Sequence, residues 1–78
     1  MSTVTIYSSP TCHFCHMVKD FFAENNITYT DRDVATDPTA IKEAVEKSGQ
    51  MGVPVIDIDG NIVVGFNEPE LKRLLNIS

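Results

Sequence analysis

The chain has 78 residues, room for one small domain spanning 1–78, which at this size buries only about 60–65% of the surface of the unfolded chain. Eleven acidic residues against six basic ones give a formal charge of −5, the wrong sign for gripping a nucleic-acid backbone or an anionic membrane surface. No apolar run reaches transmembrane length, and Met1-Ser2-Thr3 lacks the basic start and apolar run of a signal peptide, so a cytoplasmic monomer is expected.

Val4-Thr5-Ile6-Tyr7 is β-branched and aromatic and predicts a strand. Ser8-Ser9-Pro10-Thr11 interrupts it, with Thr11 placed to cap a helix. Phe14, Val18, Phe21 and Phe22 then recur at helical spacing as far as Asn25-Asn26. Ile27-Thr28-Tyr29-Thr30 reads as a second strand. Asp37-Pro38 joins a capping residue to the proline favoured at a first helical position. Ile41, Ala44, Val45 and Ser48 make the inward face of that helix, and Gly49 stops it. Val55 to Ile58 and Asn61 to Val64 flank Asp59-Gly60 as a hairpin with a tight turn. Asn67 with Glu70 imitates a capping box ahead of Leu71, Leu74 and Leu75. The order is therefore β-α-β-α-β-β-α, an α/β class. A right-handed crossover makes the first two strands parallel, and the hairpin is antiparallel. The expected architecture is a mixed four-stranded sheet carrying three helices.

The sharpest feature is Cys12-His13-Phe14-Cys15-His16, after a strand and at the start of a helix. Residues three apart on a helix are neighbours, with Cβ atoms about 5–6 Å apart, close to disulfide reach. The bridge would close too small a loop to stabilise a fold appreciably, so the pair points to chemistry. Cys12 falls among the unpaired amides of the first turn, at the positive helix end, where a thiolate is favoured. Cys15 lies deeper and shielded. The asymmetry assigns the roles: Cys12 is the nucleophile and Cys15 resolves the mixed disulfide. Cys-x-x-Cys-His is also a c-type haem attachment sequence, but the chain has too little helix to wrap a porphyrin. A metal site from Cys12, His13, Cys15 and His16 would draw its ligands from one helix start, where they point apart. The remaining alternative is a pair of idle cysteines. Further along, Val53-Pro54 enters the third strand, and proline cannot donate to a sheet ladder. On the residues alone it reads as a trans proline at a strand edge.

Taken in order, the strand, Thr11-Cys12-x-x-Cys15-x-x-x-Lys19, Gly49-Gln50-x-x-Val53-Pro54, the hairpin, the glycine turn and the last helix resemble a glutaredoxin over essentially the whole chain. The resemblance implies a thioredoxin-like fold with Pro54 cis and facing the cysteines. It implies disulfide exchange through Cys12, with Val53 pairing by main chain to glutathione or a substrate strand. By the same resemblance Thr11, Phe14, Val53, Pro54, Gly65 and Asn67 are the candidate substrate or glutathione contacts. No metal and no tightly bound cofactor is implied; glutathione is the reductant or co-substrate, and protein disulfides are the substrates. The departures bear on the reductant. His13-Phe14 replaces the family's Pro-Tyr, and Ser9 stands where a base holds the glycine carboxylate of glutathione. Gly52 replaces a threonine, and Val64-Gly65-Phe66-Asn67-Glu68 replaces Gly-Gly-x-Asp-Asp. The Gly-Phe pair is similar to that of redoxins that feed ribonucleotide reductase and take electrons from thioredoxin reductase. A glutathione-dependent iron–sulfur module is a third reading. His13 is read as a solvated loop residue or a partner that lowers the Cys12 pKa, and His16 and Lys19 as solvated helix surface.

Overall fold

The computed structural model describes residues 3–50 and 52–77. Its elements are β1 (Val4–Ser8), α1 (His13–Glu24), β2 (Thr30–Asp33), α2 (Pro38–Ser48), β3 (Val55–Ile58), β4 (Asn61–Val64) and α3 (Glu68–Leu75). They form one four-stranded sheet in the order β2-β1-β3-β4. β1 and β2 are parallel, with Ile6 opposite Asp31. β3 runs antiparallel to β1, with Ile6 opposite Ile56, and to β4, with Ile56 opposite Val63. This is the mixed α/β architecture expected above.

Alternation along the strands divides the core between the two sheet faces. Val4, Ile6, Ile56 and Ile58 meet Val18, Phe21 and Phe22 of α1 and Leu71 of α3 on one side. Tyr7 and Val55 meet Ala40 and Ala44 of α2 on the other. Local signals behave as their chemistry requires. Asp37 Oδ1 accepts from the amides of Thr39 (3.0 Å) and Ala40 (3.4 Å), and Pro38 follows it. Asp59 and Gly60 both hold positive φ, at 53° and 91°, which matches the two-residue turn the hairpin needs. Asn67 Oδ1 accepts from Glu70 N at 3.4 Å, the helix-capping half of the expected box.

Four expectations are corrected. The second strand is Thr30–Asp33, not Ile27 to Thr30. Ile27 donates to Phe22 O (2.8 Å) in closing α1, and Ile27 and Tyr29 turn onto the core beside Phe22 before the chain reaches the sheet. The strand is polar because it is the sheet edge, and its charges find partners on neighbouring helices. The cap of α1 is Cys12, not Thr11. Phe14 leaves the helical stripe and is 56% exposed, while Cys15 takes its inward place. On α2 the face that meets the sheet is Ala40 and Ala44; Ile41 is exposed and Val45 and Ser48 are half-buried. Small side chains there let the helix lie close over Tyr7.

Candidate active site

The site forms where β1 ends and α1 begins. Leaving Ser8, the chain turns through Ser9, Pro10 and Thr11, and Cys12 N donates to Ser9 O at 3.2 Å. His16, one turn into α1, brings Nε2 within 2.9 Å of Pro10 O. That bond ties the loop to the helix, a role the sequence reading of His16 as plain surface missed. Thr11 is exposed, and its hydroxyl lies 3.2 Å from that of Ser9.

Cys12 holds the N-cap position with extended backbone (φ −89°, ψ 113°), and its Sγ accepts from Cys15 N at 3.2 Å. A sulfur thus does what a serine or aspartate oxygen usually does, meeting one of the orphan amides of the first turn. Its thiol also lies 3.8 Å from Val53 O. Both sulfurs are free thiols; Cys12 is half-buried and Cys15 fully buried. Burial, with the hydrogen bond to Cys12, pushes the Cys15 thiol up to about 12, against smaller downward pulls from a backbone hydrogen bond at Ser9 and, weaker still, from Lys19. Cys15 is therefore protonated at neutral pH.

Opposite Cys12, the Val53–Pro54 bond is cis and Pro54 is buried, in line with the family resemblance and against the trans reading from the residues alone. Pro54 O accepts from Gly65 N at 2.9 Å, so the end of β4 holds the segment that faces the sulfur. The Asn67 side chain caps α3, accepting from Glu70 N. Phe14 projects from the rim with His13 edge-on to it at 5.6 Å. Beside Val53, an apolar depression of about 220 Å³ is lined by Val34, Ile41, Ala44, Val45, Gly52 and Val53, with no charged side chain among them.

Lys19, read from the sequence as a solvated face, instead donates to Asp31 Oδ2 (2.8 Å), and the buried Ser8 hydroxyl donates to Asp31 Oδ1 (2.7 Å). The spacing Cys15 to Lys19, one helical turn, was the available signal; its acidic partner comes from another strand. Among the described residues no three His, Cys, Asp or Glu side chains converge as metal ligands, and no helix is long and apolar enough to cross a membrane.

The glutaredoxin family model matches residues 4–63. An uncharacterized glutaredoxin-like 8.6 kDa protein of the rubredoxin operon of Clostridium pasteurianum is 46% identical over 72 residues, 92% of this chain and 96% of that one. The glutaredoxin-like protein NrdH of Lactococcus lactis is 32% identical over 71 residues, covering 91% and 97% of the two chains. Among solved structures, a mutant of the thioredoxin-like protein BC3987 superposes with a TM-score of 0.92 at 35% identity and covers both chains entirely. The glutaredoxin of Archaeoglobus fulgidus gives 0.87 at 25% identity, over 96% of this chain and 87% of its own. A capped thiol over a buried one, facing a cis-proline turn on this sheet, agrees with those matches, and the chain belongs to the glutaredoxin family, whose general activity is thiol–disulfide exchange.

Proposed function

We propose that the protein is a dithiol redoxin that reduces protein or glutathione mixed disulfides through Cys12 and Cys15. The observation that carries this reading is the placement of Cys12 Sγ, at the mouth of α1, 3.2 Å from an amide and 3.8 Å from Val53 O, above a fully buried Cys15. An anionic sulfur there is met by unpaired helix amides, while its partner is kept as a thiol by burial. Cys12 attacks a substrate disulfide, forming a mixed disulfide and expelling one thiolate. Cys15 then attacks the Cys12 sulfur, the bond to substrate breaks, and the second thiol leaves. Two electrons have passed to substrate and the protein holds a Cys12–Cys15 bond. In this reading Val53 main-chain atoms pair with an extended substrate, supported by the 3.8 Å between Cys12 Sγ and Val53 O, and Phe14 with Thr11 forms the rim.

Glutathione is the reductant on the family reading. A flavoprotein reductase of the thioredoxin-reductase type is the second reading. It is favoured by Ser9 in place of a base, by the uncharged depression beside Val53 and by likeness to proteins called NrdH. The cytoplasm, where thiols are kept reduced, suits either cycle. Supplying oxidised protein with glutathione and glutathione reductase, or with thioredoxin reductase alone, and following NADPH separates the two. Cys15→Ser should accumulate a substrate adduct on Cys12; no adduct on Cys12 would refute the assigned roles.

A further inference from the structure

Resolution of the mixed disulfide sets a problem that the cysteine pair alone does not solve. Cys15 must attack as a thiolate, yet burial holds its thiol well above the ordinary value, so the thiolate is scarce at neutral pH. The sulfur is sealed from water, at 0% exposure. One turn further along α1, Lys19 is its neighbour on the helix surface, and its charge lowers the Cys15 pKa in addition to the larger lowering by a backbone hydrogen bond at Ser9. Lysine is a long, mobile side chain, but this one is fastened. Asp31 Oδ2 accepts from Nζ at 2.8 Å, and Asp31 is itself gripped at 2.7 Å by the hydroxyl of Ser8, only 2% exposed at the end of β1. Three elements thus converge to hold one positive charge one helical turn from the resolving cysteine.

We infer that Lys19 supplies the charge that stabilises the developing Cys15 thiolate in the second exchange step, and that Asp31 and Ser8 are positioning residues that hold it there. This rests on the exchange function proposed above and adds to it a device for its slower half. Asp31 is not the base. Burial raises its pKa, but the hydrogen bonds from Lys19 and Ser8 lower it further than that, leaving it a poor proton acceptor. The proton passes to the departing sulfur: the Cys15 S–H bond and the Cys12–substrate S–S bond break, and the Cys12–Cys15 bond and a substrate S–H form. Cys15 is oxidised, the substrate sulfur is reduced, and nothing else is consumed.

The test is stopped-flow reaction of the reduced 78-residue protein with dithiobis(nitrobenzoate). The first equivalent of coloured thiol reports attack by Cys12, and the second reports resolution by Cys15. With Cys12 held in the mixed disulfide, the ionisable groups that bear on Cys15 are Lys19 and, acting through Lys19, Asp31 and Tyr29. Lys19→Gln is expected to lower the ratio of second-phase to first-phase rates about tenfold and to move the pH profile of the second phase up by about one unit, the effect of losing a unit charge one helical turn away. Lys19→Arg keeps the charge and should restore the ratio to within about threefold, and Asp31→Asn should lower it. A ratio unchanged in Lys19→Gln, with both equivalents still released, overturns the inference alone. So does Lys19→Arg behaving like Lys19→Gln, which would mark a packing role. A ratio in Asp31→Asn that is unchanged or rises overturns the positioning role of Asp31. Release of a single equivalent by the wild-type protein overturns the exchange reading, and this inference with it.

Discussion

The sulfur of Cys12 has a structural task that can be separated from its chemical one. It accepts from Cys15 N at 3.2 Å and so caps α1, whereas Thr11, the residue that sequence preference nominates, bonds only within its own loop. Cys12→Ala removes the acceptor and leaves one first-turn amide to water. Loss of a cap costs about 1 kcal/mol, and for a domain of this size that corresponds to a melting temperature lower by about 4–8 °C. Cys12→Ser replaces a weak sulfur acceptor with the oxygen helices prefer, so the reduced Ser variant should melt at or above wild type. Both variants lose disulfide exchange. Thr11→Ala should change stability by less than about 0.5 kcal/mol. Thermal unfolding followed by circular dichroism under reducing conditions measures all three. Equal melting of the Ala and Ser variants, or a larger loss at Thr11 than at Cys12, would refute the assignment of the cap.

Acid should weaken the fold through Asp31 and Asp57. In each, burial raises the pKa, but hydrogen bonds (Lys19 and Ser8 on Asp31, Lys47 and Gly60 N on Asp57) bring it below the usual 3.8. Their stabilisation is therefore complete above the unfolded value and is lost as pH falls through the folded one. Urea midpoints should accordingly hold from pH 7 to about pH 5 and fall below about pH 4, a fall that Asp57→Asn should flatten. Phe22→Ala empties a site of 0% exposure that touches Tyr29 and the main core cluster. The expected loss is about 3–5 kcal/mol, a large share of the ~4–12 kcal/mol available to a chain of this length, and urea unfolding reads it. Phe14→Ala removes a ring that is 56% exposed, so stability should move by less than about 0.5 kcal/mol. The KM for a protein disulfide should rise about three- to tenfold at constant kcat, as for an aromatic at a docking rim; an unchanged KM would remove Phe14 from the site.

What could be read from the chain and what could not divides by the range of the interaction. Asp37-Pro38 and Asp59-Gly60 are decided within four residues, so α2 and the β3–β4 hairpin stood in the sequence much as they fold. β2 did not, because two demands compete for residues 27–33. Ile27 and Tyr29 have strand-like side chains, but the end of α1 draws them onto Phe22. The ladder with β1 then falls to Thr30-Asp31-Arg32-Asp33, whose polarity is acceptable at an edge because Lys19 and Glu43 neutralise Asp31 and Arg32. The candidate site splits the same way. Cys12 and Cys15 were legible as a motif three residues apart, and Val53-Pro54 through its likeness to a family. The Ser8–Asp31–Lys19 chain was not, since it exists only once α1 and β2 lie against the same end of β1.

The unequal characters of the two sulfurs follow from their places on α1, one as its cap and the other on its inward stripe. Cys15, Val18 and Phe22 share one stripe of α1 by their spacing alone, wherever the helix begins, so the choice of cap acts on Cys12: with Thr11 as the cap, as its residue type invites, Cys12 would lie inside the first turn and lose its capping role. With Cys12 as the cap, the same three-residue spacing leaves one thiol at the mouth of the helix, facing Val53, and places the other at the third helical position, in the core. Exposure of Phe14 is the corollary: the aromatic that lies between them in sequence has no inward position left and must sit on the rim. The cap position of Cys12 and the inward phase of Cys15 together set one thiol at the surface and the other in the core, with the Phe14 ring beside them. Moving the cap by one residue should therefore change the setting of Cys12 while leaving Cys15 buried on its stripe.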